Sequence, residues 1–194
     1  MALNKYLLII ALNANGLNAP IKRHRVAEWI RKHDPHICCL QETHLKTKDL
    51  HRLKVKKWKK YSKHMDMENK TKQQNKTKNR VAVLVSDKID LKSKARYREE
   101  HFMILKGRIH QENITIVNIY APNVGSHKHI RMIWEGCKKD IESNTHIVED
   151  FNTPLSTADR CSKKRINKDI VALNNTLSQI QFIDIYRIFH PKLS

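Results

Sequence analysis

Four short apolar runs in the chain each end in a polar residue that is followed by a turn or helix signal. They occupy residues 6–12, 37–41, 114–119 and 145–150. Runs of this length, bounded in this way, are typical of buried β-strands. Because ligands bind where strand ends converge at one edge of an α/β sheet, four such ends predict a single polar cluster. Its members are Asn13, Glu42, Tyr120, Asp150 and Asn152.

A surface loop that merely begins with a polar residue remains the alternative explanation for each of these positions taken singly. The coincidence of four strand ends favours the cluster.

The segment after the first run has the pattern of an amphipathic helix that ends near His33. Asn18 can cap it, Pro20 suits its first turn, and Pro35 opposes its continuation. The predicted apolar face consists of Ile21, Val26, Ala27, Trp29 and Ile30. The predicted solvent face consists of Lys22, Arg23, Arg25, Arg31 and Lys32.

The remaining patterns complete one α/β domain over residues 1–194. Strands are predicted near 55–58, at 81–85 and at 101–105, and the last of these pairs with 114–119 across a turn near 110–113. Helices are predicted at about 126–141 and at 170–180, and 182–186 is the last ordered element. This order predicts two mixed sheets packed face to face, with helices outside.

The excess of positively charged residues predicts a polyanion as the binding partner. Thirty-eight Lys and Arg against 19 Asp and Glu give a net charge of +19, which favours attraction to nucleic acid. An acidic membrane surface is the competing partner, but no apolar stretch approaches the length needed to span a bilayer. The predicted nucleic-acid contacts are Lys46, Lys48, Arg52, Lys163, Lys164 and Arg165.

Much of the positive charge falls between residues 46 and 80. Within this stretch, residues 66–79 are almost wholly polar and are predicted to form a flexible basic loop. Such a loop suits phosphate contacts that carry no sequence information. A surface loop without a partner is the alternative.

The spacing of the cysteines indicates a reducing cellular compartment. Cys38, Cys39, Cys137 and Cys161 show no CxxC spacing, which favours reduced thiols over a disulfide or zinc site. The first apolar run is short for a signal peptide and lacks a good cleavage site. We therefore expect a nuclear or cytoplasmic protein that is not secreted.

Several motifs together resemble one family. Residues 12–18, 41–44, 118–123 and 150–156 are similar to the endonuclease domain of long interspersed element (LINE) retrotransposons, which begins their reverse-transcriptase polyprotein. That domain belongs to the endonuclease/exonuclease/phosphatase superfamily, alongside apurinic/apyrimidinic endonucleases. The resemblance extends from about Leu7 to Pro191. It implies a four-layer α/β sandwich that nicks DNA with Mg²⁺, or with Mn²⁺ in its place.

The resemblance also implies a role for each member of the polar cluster. Glu42 would hold the metal directly or through water, and Asn13 would help to position metal and phosphate. Tyr120 would contact the scissile phosphate. Asp150 would orient or deprotonate the attacking water, with support from Asn152. Mg²⁺ takes oxygen ligands of these types.

Three departures from the family pattern reduce the expected activity. The chain stops soon after Pro191, before the last strands and the terminal Ser-Asp-His motif of family members. Glu149 stands where the family has glycine, and the family's glycine before the strand at 81–85 is absent, with Asn79-Arg80 in its place. A carboxylate at Glu149 that points into the site would raise the pKa of Asp150. We expect a truncated, degenerate copy with weak or no catalysis, and no oligomer is predicted.

Two alternatives to a crippled endonuclease remain open. One is a noncatalytic fragment that binds nucleic acid through its basic surface. The other is a translated relic that does not fold stably.

Overall fold

The computed structural model describes residues 6–46, 51–62, 78–97, 101–121, 132–133 and 135–150, and positions 171, 175, 183–185 and 188. The chain divides into two compact units. The first comprises Met1–Tyr120 with Lys139–Asp150, and the second comprises Ala121–Lys138 with Phe151–Ser194.

The described residues of the first unit form one helix and ten strands. In chain order they are β1 (Ile9–Asn13), α1 (Pro20–His33), β2 (Ile37–Gln41), β3 (Leu45–Lys46), β4 (Trp58–Tyr61), β5 (Lys78–Asn79), β6 (Ala82–Ser86), β7 (Lys92–Tyr97), β8 (Phe102–Ile109), β9 (Glu112–Tyr120) and β10 (Thr145–Asp150). A short 3-10 turn, Lys138–Asp140, lies before β10.

The strands form two four-stranded sheets and a small two-stranded one. Sheet 1 has the order β1-β2-β6-β4, sheet 2 has the order β10-β9-β8-β7, and β3 pairs with β5. Within each large sheet one pair is parallel, β1 with β2 and β9 with β10, and the other pairs are antiparallel. The predicted pair of mixed sheets is therefore confirmed.

Two hydrophobic clusters explain how the layers pack. Ile37 and Cys39 of β2 lie in a cluster with Met103 of β8 and Ile116 of β9, so this cluster fills the space between the large sheets. The intervening residues of β2 instead join a cluster with Ala27 and Ile30 of α1. Since successive side chains of a strand point to opposite faces, β2 is buried on both sides.

Helix α1 has the predicted bounds, but two of its face assignments were wrong. Its N-cap is Ala19, whose side chain makes no cap hydrogen bond, rather than Asn18. Arg23, predicted on the solvent face, is buried because its guanidinium donates to the carbonyls of Leu17 and Asn18 at 2.8 and 2.6 Å. Ile21, predicted on the apolar face, is exposed.

The strands differ from the sequence pattern mainly at sheet edges. Strand β1 is an edge strand that is only partly buried, and Tyr6 and Leu8 before it are exposed, so the prediction of a buried strand over 6–12 was wrong there. Strand β4 lies a few residues beyond the predicted 55–58, and β3, β5 and β7 were not predicted. The β8–β9 hairpin is confirmed, with His110 and Gln111 at positive φ in its turn.

The second unit is described at few positions. Residues 132–133 and 135–137 are helical, within the predicted helix at 126–141, and Ile133 and Cys137 are buried. Near the C-terminal end of the chain the N–H of Ile188 donates to the carbonyl of Asp184 at 3.2 Å. Of the predicted loop 66–79, residues up to 77 lie outside the described part, and Lys78–Asn79 form β5.

Three of the cysteines are described, and all three are free, buried thiols. Burial raises the pKa of Cys38 to about 12 and also raises the pKa of Cys39, so both thiols are protonated at neutral pH. Cys161 lies outside the described residues. Nowhere in the described part of the chain is there a helix of the length and apolarity that a bilayer span requires.

Candidate active site at the converging strand ends

The polar ends of two parallel strand pairs lie at one edge of the first unit. In sheet 1, Asn13 at the end of β1 is in register with Gln41 at the end of β2. In sheet 2, Tyr120 at the end of β9 is in register with Asp150 at the end of β10. Each pair therefore brings two neighbouring polar positions together.

A buried side-chain bridge joins these two pairs across the sheets. The Gln41 side-chain amide donates to the side-chain carbonyl of Asn118 at 3.0 Å, two residues before the end of β9. The Asn118 amide in turn donates to the carbonyls of Leu40 and Ala82 at 3.1 and 3.0 Å. Both carboxamides are buried, so these bonds hold the end of β2 opposite the end of β9.

The backbone after β2 holds Glu42 in an uncommon conformation. Glu42 and His44 have φ of 48° and 49°, in the left-handed region that non-glycine residues seldom adopt. Hydrogen bonds from neighbouring segments secure the turn: Gly16 N–H donates to the Glu42 carbonyl at 2.7 Å, and Thr43 N–H donates to the Arg80 carbonyl at 3.0 Å. Such strain is typical of positions whose side chain has a defined task.

The Glu42 carboxylate is partly buried beside an imidazole. Its side chain is 16% exposed, and its Oε2 lies 4.0 Å from Nε2 of His44. On the neighbouring strand the Asn13 side-chain carbonyl accepts a hydrogen bond from the N–H of Asn15 at 2.9 Å. This bond sets the orientation of the Asn13 carboxamide next to the turn that carries Glu42.

The Tyr120 ring has an imidazole and a guanidinium as neighbours. The His101 ring stacks on the Tyr120 ring with centroids 6.0 Å apart and planes 11° from parallel. The Arg80 Cζ lies 5.7 Å from the centroid of the same ring, within the range of a cation–π interaction. The Arg80 Nε is buried, and no described residue accepts a hydrogen bond from it.

Arg80 and His101 were missed by the sequence analysis, and their positions explain why. The analysis considered only the residues at which apolar runs end. Arg80 lies just before β6 and His101 just before β8, and these strands run antiparallel to β2 and β9. The start of an antiparallel neighbour lies at the same edge as the end of its partner. A polar residue just before an apolar run would have been the sequence signal for both Arg80 and His101.

The other predicted site residues are described to different extents. The backbone of Asp150 lies at the end of β10 beside Tyr120, and the side chain of Glu149 is exposed. Lys46 lies in β3, and Arg52 is exposed. Five predicted site residues lie outside the described part: Asn152, Lys48, Lys163, Lys164 and Arg165.

The donor set at this edge fits a hard divalent cation. A partly buried carboxylate at Glu42 and an oriented carboxamide at Asn13 present oxygen ligands. Among the described residues no group of three or more His, Cys, Asp or Glu side chains is placed so that it could hold a metal ion. Mg²⁺ commonly binds through one or two carboxylates while it keeps water and substrate phosphate oxygens. The residues present are thus compatible with Mg²⁺.

Comparison with a protein-family model assigns the chain. Residues 10–178 match the model of the Endonuclease/Exonuclease/phosphatase family. The chain belongs to this family. The match spans both large sheets and all four converging strand ends, so the fold expected for this family is present.

Solved structures of related fold include two endonucleases. An AP endonuclease from Archaeoglobus fulgidus is similar with a TM-score of 0.65 and 18% identity over 96% of this chain and 75% of that chain. The endonuclease domain of TRAS1, a telomere-specific non-LTR retrotransposon, has a TM-score of 0.60 and 14% identity over 88% and 69%. D. rerio TDP2, solved with a single strand DNA product, has a TM-score of 0.57 and 11% identity over 88% and 65%. At these identities the likeness shows the fold.

Proposed function

We propose that the chain is the DNA endonuclease domain of a LINE-type retrotransposon and that it hydrolyses phosphodiesters with a divalent metal, Mg²⁺ or Mn²⁺. The observation that carries this proposal is the convergence of Asn13, Glu42 and Tyr120 with the end of β10 at one edge of a family-typical fold. A DNA substrate agrees with the net charge of +19, and a nuclear or cytoplasmic location belongs to the same proposal.

The proposed reaction is an in-line displacement at phosphorus. Asp150 accepts a proton from a water molecule whose oxygen forms the new bond to phosphorus. The bond from phosphorus to the 3′ oxygen breaks, and that oxygen leaves as a 3′-hydroxyl after it takes up a proton. A 5′-phosphate remains on the other fragment. Asn152 supports the water and the phosphate.

The remaining residues position the phosphate and balance its charge. Glu42 and Asn13 would hold the metal, which when bound neutralises charge that builds up on the phosphate oxygens. The Tyr120 hydroxyl donates to a phosphate oxygen. Arg80 and His101 both contact the Tyr120 ring and support it, and the guanidinium adds positive charge beside the phosphate.

The test is nicking of supercoiled plasmid by the purified chain in the presence of Mg²⁺. We expect weak nicking that is abolished by EDTA and by Asp150→Asn, and a much higher Mg²⁺ requirement for Glu42→Gln. Asp87→Asn is the matched control, since Asp87 is exposed in the turn after β6. Nicking that persists in EDTA or in Asp150→Asn would rule out the proposal.

The second candidate function is noncatalytic binding of nucleic acid, which the excess of 38 Lys and Arg over 19 Asp and Glu favours. Binding of this kind would be independent of Mg²⁺ and would weaken steeply with salt. Retention of plasmid on the protein without nicking, both with and without EDTA, would favour it over the endonuclease.

A further inference from the structure

A cleft of about 740 Å³ opens on the α1 side of sheet 1, between α1 and residues 51–60. Its apolar walls include Ala27 of α1, Leu53 and Val55, and Leu84 of β6, all of which are buried. The cleft therefore has a well-packed apolar lining that belongs to the second hydrophobic cluster. No step of the proposed endonuclease reaction uses it.

The rim of the cleft is strongly basic. Four Lys and Arg side chains line it, contributed by α1, the connection before β4 and β4 itself: Arg31, Lys54, Lys56 and Lys60. His24 and His51 also line it, and none of the described residues that line it is acidic. His24 pairs with Glu28 on the exposed side of α1 at 3.2 Å. The concave surface thus collects positive charge.

The positive charges of Lys54 and Lys60 repel each other. The pKa of Lys60 is lowered, first by partial burial and then by the positive charge of Lys54. Cations that lie close together are stabilised by an anion placed between them. An anion such as a phosphate would relieve both effects.

Trp58 supplies a flat aromatic surface in the same cleft. It lies two residues before Lys60 on β4, so both side chains point to the same face of the strand. Its ring is partly buried against the α1-side cluster and lines the cleft. A stacking surface beside phosphate-binding cations is the combination that single-stranded nucleic acids recognise.

The cleft lies away from the strand ends of the candidate active site. Trp58 is in register with Ser86 at the far end of β6, and Lys60 is in register with Leu84. The candidate active site instead adjoins the start of β6, where Arg80 lies. Residues of that site are not among those that line the cleft.

We propose that this cleft binds one nucleotide of a single-stranded nucleic acid, with a base stacked on Trp58 and its flanking phosphates held by Lys54 and Lys60. A duplex keeps its bases paired and stacked, so it cannot present one to Trp58. An acidic peptide matches the charges of the cleft but offers Trp58 no base. The nucleotide satisfies both features at once.

The test is binding of a short fluorescein-labelled oligothymidylate to the full chain in EDTA, which prevents metal-dependent cleavage. We expect Lys54→Gln/Lys60→Gln to weaken binding and to lower the slope of log affinity against log salt by about 1.4, at about 0.7 per phosphate contact. The matched control is Lys57→Gln/Lys59→Gln, which removes the same charge. Lys59 is in register with Val85, on the opposite face of β4, and is exposed.

The stacking part of the proposal has its own variant. Trp58→Leu should weaken binding roughly tenfold and remove the quenching of tryptophan fluorescence by the oligonucleotide. If Trp58→Leu proves unstable in thermal melting, Trp58→Phe replaces it, because phenylalanine keeps more of the apolar volume. The affinity of Trp58→Phe for the oligonucleotide should lie between those of the native chain and Trp58→Leu. An abasic oligonucleotide with the same phosphates should bind as weakly to the native chain as oligothymidylate binds to Trp58→Leu.

Three outcomes would overturn the proposal. The control variant Lys57→Gln/Lys59→Gln could lose as much affinity as Lys54→Gln/Lys60→Gln, which would show that binding depends only on the overall charge. The abasic strand could bind as well as oligothymidylate, which would leave a phosphate site without base recognition. Oligoglutamate could displace the oligonucleotide at equal charge concentration, which would indicate an acidic peptide as the occupant. None of these outcomes depends on nicking, so failure here is separable from failure of the proposed endonuclease.

Discussion

The side-chain amide of Gln41 donates a 3.0 Å hydrogen bond to the side-chain carbonyl of Asn118, although the residues are 77 positions apart in the chain. This bond joins the end of a strand in one sheet to a strand in the other, directly beneath the candidate active site. The relative position of Glu42 and Tyr120 therefore depends on two buried carboxamides. Neither was part of the predicted polar cluster.

Replacement of this bridge should destabilise the fold. In Asn118→Asp the new carboxylate would lose the two bonds to the Leu40 and Ala82 carbonyls and face their oxygens instead. We expect a loss of about 3 kcal/mol in the free energy of unfolding, measured by urea denaturation at neutral pH, because a buried charge is left uncompensated. Asn113→Asp, at the exposed start of the same strand, should be nearly neutral. Equal losses in both variants would contradict this explanation.

Arg80 should contribute to catalysis if the endonuclease proposal holds. Arg80→Gln removes a cation 5.7 Å from the centre of the Tyr120 ring, and we expect the nicking rate to fall at least about tenfold. Arg80→Lys should retain part of the activity, since it keeps the charge. The control is Arg108→Gln, whose exposed side chain donates to the Gln111 carbonyl. Unchanged nicking by Arg80→Gln, with normal thermal stability, would remove Arg80 from the site.

The stability of the chain should fall in mild acid because of His146. Partial burial lowers the pKa of His146 below its usual 6.5, so the unfolded chain takes up this proton at higher pH than the folded one. Folding stability from this residue is complete above about pH 6.5 and is lost as the pH falls below it. His146→Gln should flatten the stability profile between neutral pH and pH 5 in urea titrations. An unchanged stability profile in His146→Gln would contradict this explanation.

The paired thiols of β2 should be unreactive in the folded protein. Burial raises the pKa of Cys38 to about 12 and raises that of Cys39, so neither supplies the thiolate that alkylating reagents need. In a Cys161→Ser background, iodoacetamide should modify no cysteine of the native chain and three after denaturation in urea. Rapid modification of Cys38 or Cys39 under native conditions would show that β2 opens readily.

The central strands could be predicted because their residues carry strong patterns. Strands β2 and β6 are almost entirely apolar, and β9 is mainly apolar between residues 114 and 119. The polar residues at the ends of β2 and β9 led to the prediction of Glu42 and Tyr120. Edge strands carry weaker patterns. In β7 the residues alternate between Lys or Arg and Ser, Ala or Tyr, a composition that protects exposed edges but does not distinguish a strand from a loop.

Side-chain burial at particular positions depended on contacts that no periodicity reveals. Arg23 has the spacing of a solvent-facing residue, yet the carbonyls of Leu17 and Asn18 satisfy its guanidinium locally. Arg80 and His101 belong to the candidate active site only because their strands run antiparallel to β2 and β9. Strand direction could not be read from the apolar runs themselves.

The double-sided burial of β2 constrains where the chain can change length. Insertion of one residue within Ile37–Gln41 would exchange the faces of the residues that follow it, so Gln41 would turn away from Asn118 if the residues before the insertion kept their places. No other strand could compensate, since β1 and β6 pair with both of its edges. Insertions and deletions that preserve folding should therefore fall outside this strand, which makes β2 a dependable anchor when divergent copies of the sequence are aligned.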